Sequence, residues 1–242
     1  MKKILILSLI FISLVKYSFA QENKDIRIPL IGESAPAFVA NSTIGTVKFP
    51  EDYFGKWKIL FSHPADFTPV CTSEILELSA LQKDFKDLNT AIIIISTDGI
   101  NSHIEWVKSI ENLAYNEKKT EKIQFPLVSD ANLEISKKFG MLHPYSSSTK
   151  DVRGVFIVDP NNKIQATFFY PMTVGRNMDE IKRTLIALQT HDKNSVMTPA
   201  NWTPGDEVLI PSPATIAESE KLKEKKDPNL REVAWYMWLK KI

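Results

Sequence analysis

Apolar residues after position 71 recur at three- and four-residue steps, through Ile75, Leu78, Leu81, Phe85 and Leu88, which predicts an amphipathic helix. Just before it, KILFSH reads as a strand. AIIIIST, from Ala91, is a continuous run of mostly β-branched apolar residues, the pattern of a strand covered on both faces. The run from Asn101 to Glu111 then predicts a helix, FPLVSD a short strand, and ANLEISKKFG a helix closed by Gly140. VRGVFIVDP and IQATFFYP, joined by the turn NNK, predict a hairpin, and NMDEIKRTLIALQ predicts a helix with Ile181, Leu185 and Leu188 on one stripe. KFPEDYFGKW reads as a turn feeding the KILFSH strand. Strands alternating with helices, together with one hairpin, imply an α/β domain with a mixed sheet flanked by helices.

The two ends have a different texture. MKKILILSLIFISLVKYSFAQ opens with Lys2 and Lys3, continues with an apolar run from Ile4 to Val15, and places Ser18 and Ala20 around Phe19. That is the pattern of a secretory signal, residues 1–20, cleaved near Ala20 to give an exported, periplasmic or secreted protein. An uncleaved N-terminal anchor is the competing reading. Past about Ser195 the chain is rich in Pro and charge, contains one strand-like piece, VLI, and ends in REVAWYMWLKKI. Residues 195–242 thus read as a smaller C-terminal extension, whose Trp235, Tyr236 and Trp238 suit a contact with a second subunit or with the chain's own domain. The main domain is expected over residues 28–192.

Composition narrows the function. The net charge is +1, with no basic bias, so nucleic acid is not expected as a partner, nor is a membrane for the mature form. The four histidines have no ligand-like spacing and only one thiol is available, so neither a metal nor a cofactor is called for. That single cysteine, Cys71, lies in HPADFTPVCTSE, between a strand and the predicted helix. One cysteine cannot form a structural disulfide within its own chain. At the start of a helix it meets free backbone N–H groups and the positive end of the dipole, both of which favour thiolate over thiol. Thr68, three residues earlier, is spaced to bring its hydroxyl toward the sulfur or a substrate oxygen, and Pro64 can restrict water. On spacing alone, a buried and inert cysteine competes with a reactive one.

HPADFTPVCTSE carries P-x-x-x-T-x-x-C as Pro64, Thr68 and Cys71, and VRGVFIVDP, YPMTVGRNMDEI and TPANWTPGDEV follow in order. Together they resemble the single-cysteine peroxiredoxins of the peroxiredoxin-six type, within the AhpC/TSA superfamily, from about Ile28 to Pro211. The resemblance implies a thioredoxin-like fold with a C-terminal extension that helps form a homodimer. It implies a thiol-dependent peroxidase in which Cys71 attacks hydrogen peroxide or an organic hydroperoxide, Thr68 hydrogen-bonds the peroxide, Pro64 shields the pocket and Arg153 holds the thiolate. Glu74 matches an acid that orients arginines, with Arg176 as its partner. His63 matches a histidine near the pocket, though packing at the strand end is an equal reading.

Cys71 would become a sulfenic acid, and with no second cysteine the reductant must be external: a thioredoxin-like protein or a low-molecular-weight thiol. Some relatives also have a phospholipase activity attributed to a serine before the strand and to a histidine upstream; here Lys56 stands in place of that serine and Pro50 in place of that histidine. The alternative from another class is a non-catalytic holdase or redox-sensing binding protein on the same scaffold. Retention of Pro64, Thr68, Cys71 and Arg153 together argues against it.

Overall fold

The computed structural model describes residues 27–242, apart from 112, 116–117 and 120–121. The leader at residues 1–20 lies outside them. Among the described residues the chain forms twelve strands and five α-helices, and no helix is long and apolar enough to cross a membrane. Contacts divide it into two units, one ending at Arg176 and one beginning at Asn177. The sequence pattern had placed the whole helix before Ser195 with the first domain.

The first unit is built on a seven-stranded mixed sheet. Its strands in chain order are β1 (Phe38–Ser42), β2 (Gly45–Phe49), β3 (Trp57–Ser62), β4 (Thr90–Ser96), β7 (Leu127–Ser129), β8 (Arg153–Val158) and β9 (Ile164–Tyr170). A separate two-residue pair, β5 (Ala114–Tyr115) and β6 (Lys118–Lys119), lies between β4 and β7 in sequence. The spatial order is β2-β1-β7-β4-β3-β8-β9. The apolar run AIIIIS becomes β4, the middle strand, parallel to both β3 and β7 and buried along most of its length. Three helices belong to this unit: α1 (Pro69–Asp87), α2 (Ile100–Ile110) and α3 (Glu134–Lys138).

The sequence pattern missed the β1–β2 hairpin. It turns between Ser42 and Gly45, where φ of +113° suits glycine, and Lys48 and Phe49 close β2 instead of opening a turn. The turn begins at Pro50 and passes through a short 3-10 segment, Glu51–Tyr53.

The core joins Phe38, Phe49, Leu60, Ile93, Ile95, Val128, Phe139 and Phe156. Phe139 meets Phe156 edge-on with centroids 5.1 Å apart, and Phe38 stacks on Phe49 at 5.1 Å. Each such ring contributes about 1.5–3 kcal/mol by leaving water. The result is a rigid platform at the carboxyl ends of β3 and β4, where open α/β sheets place their ligands.

The second unit holds α4 (Met178–Asn194), β10 (Val208–Leu209), α5 (Ile216–Glu224), β11 (Leu230–Ala234) and β12 (Met237–Lys240). Asn177 caps α4 by accepting from the Glu180 amide. The three strands pair antiparallel in the order β10-β12-β11, and Val196, Trp202 and Val208 form a small core with Ile186 and Ala187. Of these three strands, only VLI was legible in the sequence. The terminal aromatics divide: Trp238 is 5% exposed, whereas Trp235 and Tyr236 on the β11–β12 turn are 59% and 55% exposed.

Candidate active site

Thr68 is the residue before α1 and has extended backbone, while Pro69 occupies the first helical position, where its missing N–H costs nothing. Cys71 therefore sits in the first turn. The amides of Val70 and Cys71 there have no residue one turn back to bond, and so remain donors to negative charge at the helix start. The thiol is fully buried.

Arg153 reaches it from 82 residues away because β8 runs antiparallel to β3, with Phe61 opposite Val155. The first residue of β8 therefore lies beside the end of β3 from which the cysteine loop departs. Arg153 Nη1 donates to Cys71 Sγ at 3.3 Å and to Glu74 Oε2 at 2.9 Å, while its Nε and Nη2 donate to the Met172 carbonyl. Its planar fork is thus fixed on three sides.

Glu74 lies one turn beyond Cys71 on α1, a spacing that puts both on one helix face. Its Oε1 accepts from the Arg176 backbone amide and Nε at 2.8 and 3.0 Å, and its Oε2 from Arg176 Nη2 at 2.6 Å. Arg176 Nη1 donates to the carbonyls of Ser62 and Gly154, and its guanidinium lies over the Phe61 ring, 5.2 Å from the centroid. One carboxylate therefore holds two buried guanidiniums, leaving an excess positive charge around the sulfur.

Gly154, next to Arg153, has a packing role. A Cβ there would come within 3.0 Å of Ser62 Oγ, which accepts from the Gly154 amide and donates to the Val152 carbonyl.

Pro64 and Thr68 lie on the loop between β3 and α1. The Thr68 hydroxyl donates to the Ala65 carbonyl at 2.8 Å, so its proton is committed and its oxygen remains an acceptor. His63, fully inside the protein, pairs through Nε2 with Asp66 Oδ1 at 2.9 Å, and its ring lies 5.0 Å from that of Trp106. It thus packs the strand end and belongs to a polar network. Burial pulls His63 down from its ordinary pKa despite Asp66, so it stays neutral near pH 7.

Several members of this neighbourhood were not legible in the sequence. Asp66 Oδ2 pairs with His103 Nδ1 at 2.8 Å, and the Asp66 amide donates to Asp98 Oδ2. Burial alone would raise the Asp66 carboxyl, but the bonds from His103 and His63 hold it well below the usual carboxylate range. Donor atoms of His63, Asp66 and Asp98 lie within 4.8 Å of one another. The two carboxylates already accept protein hydrogen bonds, with Lys150 Nζ on Asp98 Oδ1 at 2.7 Å, so their oxygens are engaged within the protein.

Comparison with known proteins places this geometry. Residues 31–167 match the AhpC/TSA family, and residues 187–225 match the C-terminal domain of 1-Cys peroxiredoxin. A peroxiredoxin of Methanosarcina mazei is 47% identical over 88% of this chain and 98% of its own. Another, of Aquifex aeolicus, is 40% identical over 90% and 99%. Among solved structures, the yeast mitochondrial 1-Cys peroxiredoxin superposes with a TM-score of 0.78 at 35% identity, covering 89% of this chain and all of that one. Peroxiredoxin 6 of Arenicola marina gives 0.77 at 33%, covering 88% and 98%. With one cysteine, buried at a helix start under an arginine, on a thioredoxin-like sheet, this chain belongs to the AhpC/TSA family as a peroxiredoxin of the 1-Cys type, a thiol peroxidase.

Proposed function

We propose that Cys71 is the peroxidatic nucleophile and that Arg153, Thr68 and Pro64 complete its site. The observation that carries the assignment is the 3.3 Å contact between Arg153 Nη1 and Cys71 Sγ. The thiolate attacks one oxygen of hydrogen peroxide or an organic hydroperoxide. An S–O bond forms as the O–O bond breaks, sulfur loses two electrons, and the departing oxygen takes a proton and leaves as water or alcohol. Arg153 and the first-turn amides stabilise charge on the sulfur and on the departing oxygen, and the Thr68 oxygen accepts from the peroxide. Pro64 walls the loop without adding a competing N–H. Glu74 and Arg176 orient Arg153.

The sulfenic acid returns to thiol by reaction with two external thiols, which become a disulfide and release water. The yeast mitochondrial relative is described as resolved via glutathione/thioredoxin systems, which supports a thioredoxin-like protein or a low-molecular-weight thiol as the reductant here. The working form is a homodimer. Supporting this, β9 is an edge strand of the large sheet, and its aromatic end, Phe168, Phe169 and Tyr170, is half-buried. The leader pattern supports export with cleavage near Ala20, tested by the N-terminal mass of protein recovered from the exported fraction.

The assignment is tested by peroxide oxidation of the reduced protein. Cys71→Ser abolishes it, and Arg153→Ala slows it by on the order of 10²–10³, the size of effect for removing a preorganised charge-stabilising donor. An Arg153→Ala protein reacting as fast as wild type would remove the arginine from the mechanism.

A further inference from the structure

The loop from His63 to Thr68 carries two of the residues assigned to the peroxide, yet its backbone is not relaxed. Phe67, between Asp66 and Thr68, has φ of +55°, a left-handed conformation that is unfavourable for an aromatic residue. Something must hold the loop in place, and the neighbours of Asp66 supply it. Its carboxylate, buried with the rest of the residue, accepts from His63 Nε2 on one oxygen and His103 Nδ1 on the other. Its amide donates to Asp98 Oδ2 at 2.7 Å, and Asp98 Oδ1 in turn accepts from Lys150, three residues before Arg153. The clamp therefore spans the end of β3, helix α2, the segment after β4 and the approach to β8.

We propose that Asp66 is a positioning residue of the peroxidase site and that His103, on α2, is the anchor it closes on. Asp66 fixes where the Thr68 oxygen stands, and so sets the rate at which peroxide is captured, while leaving the sulfur and its arginine untouched. The first contact of Cys71 is Arg153, which Glu74 and the Met172 carbonyl hold independently of Asp66. Among the described residues, His63 Nδ1 and His103 Nε2 are buried without hydrogen-bond partners. Each ring is therefore held through its bond to Asp66, one carboxylate oxygen per ring.

The inference rests on the assignment of Thr68 to the peroxide, and its test separates the two. Reduced protein is reacted with hydrogen peroxide and, in parallel, with iodoacetamide, which alkylates a thiolate and makes no demand on Thr68. His103→Leu removes the anchor; His103→Asn places an amide N–H near the position of Nδ1 and keeps the bond. The expected result is an about tenfold slower peroxide reaction in His103→Leu with alkylation within about twofold of wild type, and recovery to within about threefold in His103→Asn. Asp66→Asn shows the same split more strongly. If His103→Leu does not fold, Asp98→Ala, which cuts the clamp at its more accessible end, is read by the same comparison.

Equal loss with both reagents, or no loss with either, overturns the positioning role. Failure of the wild-type protein to outpace a free thiol with peroxide would instead overturn the assignment on which the inference rests.

Discussion

At the scale of single residues, Glu74 and Asp151 show how buried carboxylates fare with and without partners. Glu74 is surrounded by donors from two arginines, and replacing it with glutamine leaves both guanidiniums buried against a neutral amide. Glu74→Gln is expected to lose about 3–5 kcal/mol of stability in urea unfolding; a loss under about 1 kcal/mol would show that the arginines repair the gap elsewhere. Asp151 is fully buried, and among the described residues neither of its oxygens has a hydrogen-bond partner at ordinary distance. Burial, aided by the nearby Asp130 and Asp98 charges and opposed by Ser136 and Lys150, pushes its pKa up to about 7.

Because the folded value is raised, the folded state holds this proton more tightly than the unfolded chain. Its stabilisation is full below about pH 4 and lost as pH rises through about 7, on the order of 4 kcal/mol in all. Asp151→Asn is therefore expected to be more stable than wild type at pH 8, with the advantage vanishing toward pH 4. Thermal unfolding of both proteins across that range checks it, and a difference independent of pH would refute it.

Residues close in sequence were readable before the fold was known. Pro64, Thr68 and Cys71 share one loop and helix start, where spacing sets their geometry, whereas Glu74, one turn further on, was reached by resemblance. Arg153 was accessible only by resemblance, since its approach to the sulfur depends on the β3–β8 register. Asp66 is bonded to residues 37 and 32 positions away, and no local pattern announces such a pairing. The four histidines looked unrelated by spacing, yet the fold brings His63 and His103 onto one carboxylate.

At the scale of elements, the strongest periodicities translated directly. The stripe after Cys71 became α1, and the apolar run became β4, because each pattern matches the period of its element. The β1–β2 hairpin and the strands near the C-terminus were lost because short, half-exposed strands carry little pattern. Gly140 is the clearest case of a readable terminator. It has φ of +62°, and a Cβ there would meet the Ile28 amide at 2.6 Å and the Arg27 carbonyl carbon at 2.9 Å. Gly140→Ala is thus penalised both by conformation and by backbone overlap, with an expected loss above about 1 kcal/mol. Denaturant midpoints of the two proteins decide it, and an unchanged midpoint would mean the first described residues yield freely.

For the whole molecule, the edge position of β9 predicts a mass twice that of the chain in light scattering at micromolar concentration, with a monomer as the contrary result. The central claim is that one buried thiol, lacking any partner cysteine, carries the entire oxidative half-reaction. The most direct measurement is a rapid-mixing titration of the reduced, reductant-free protein with hydrogen peroxide, followed by mass analysis of the Cys71 peptide. The expected result is consumption of one equivalent, far faster than by a free thiol, with one oxygen added at Cys71 and thiol restored by an external thiol. Oxidation no faster than a free thiol, or oxygen found elsewhere while Cys71 stays reduced, would contradict it.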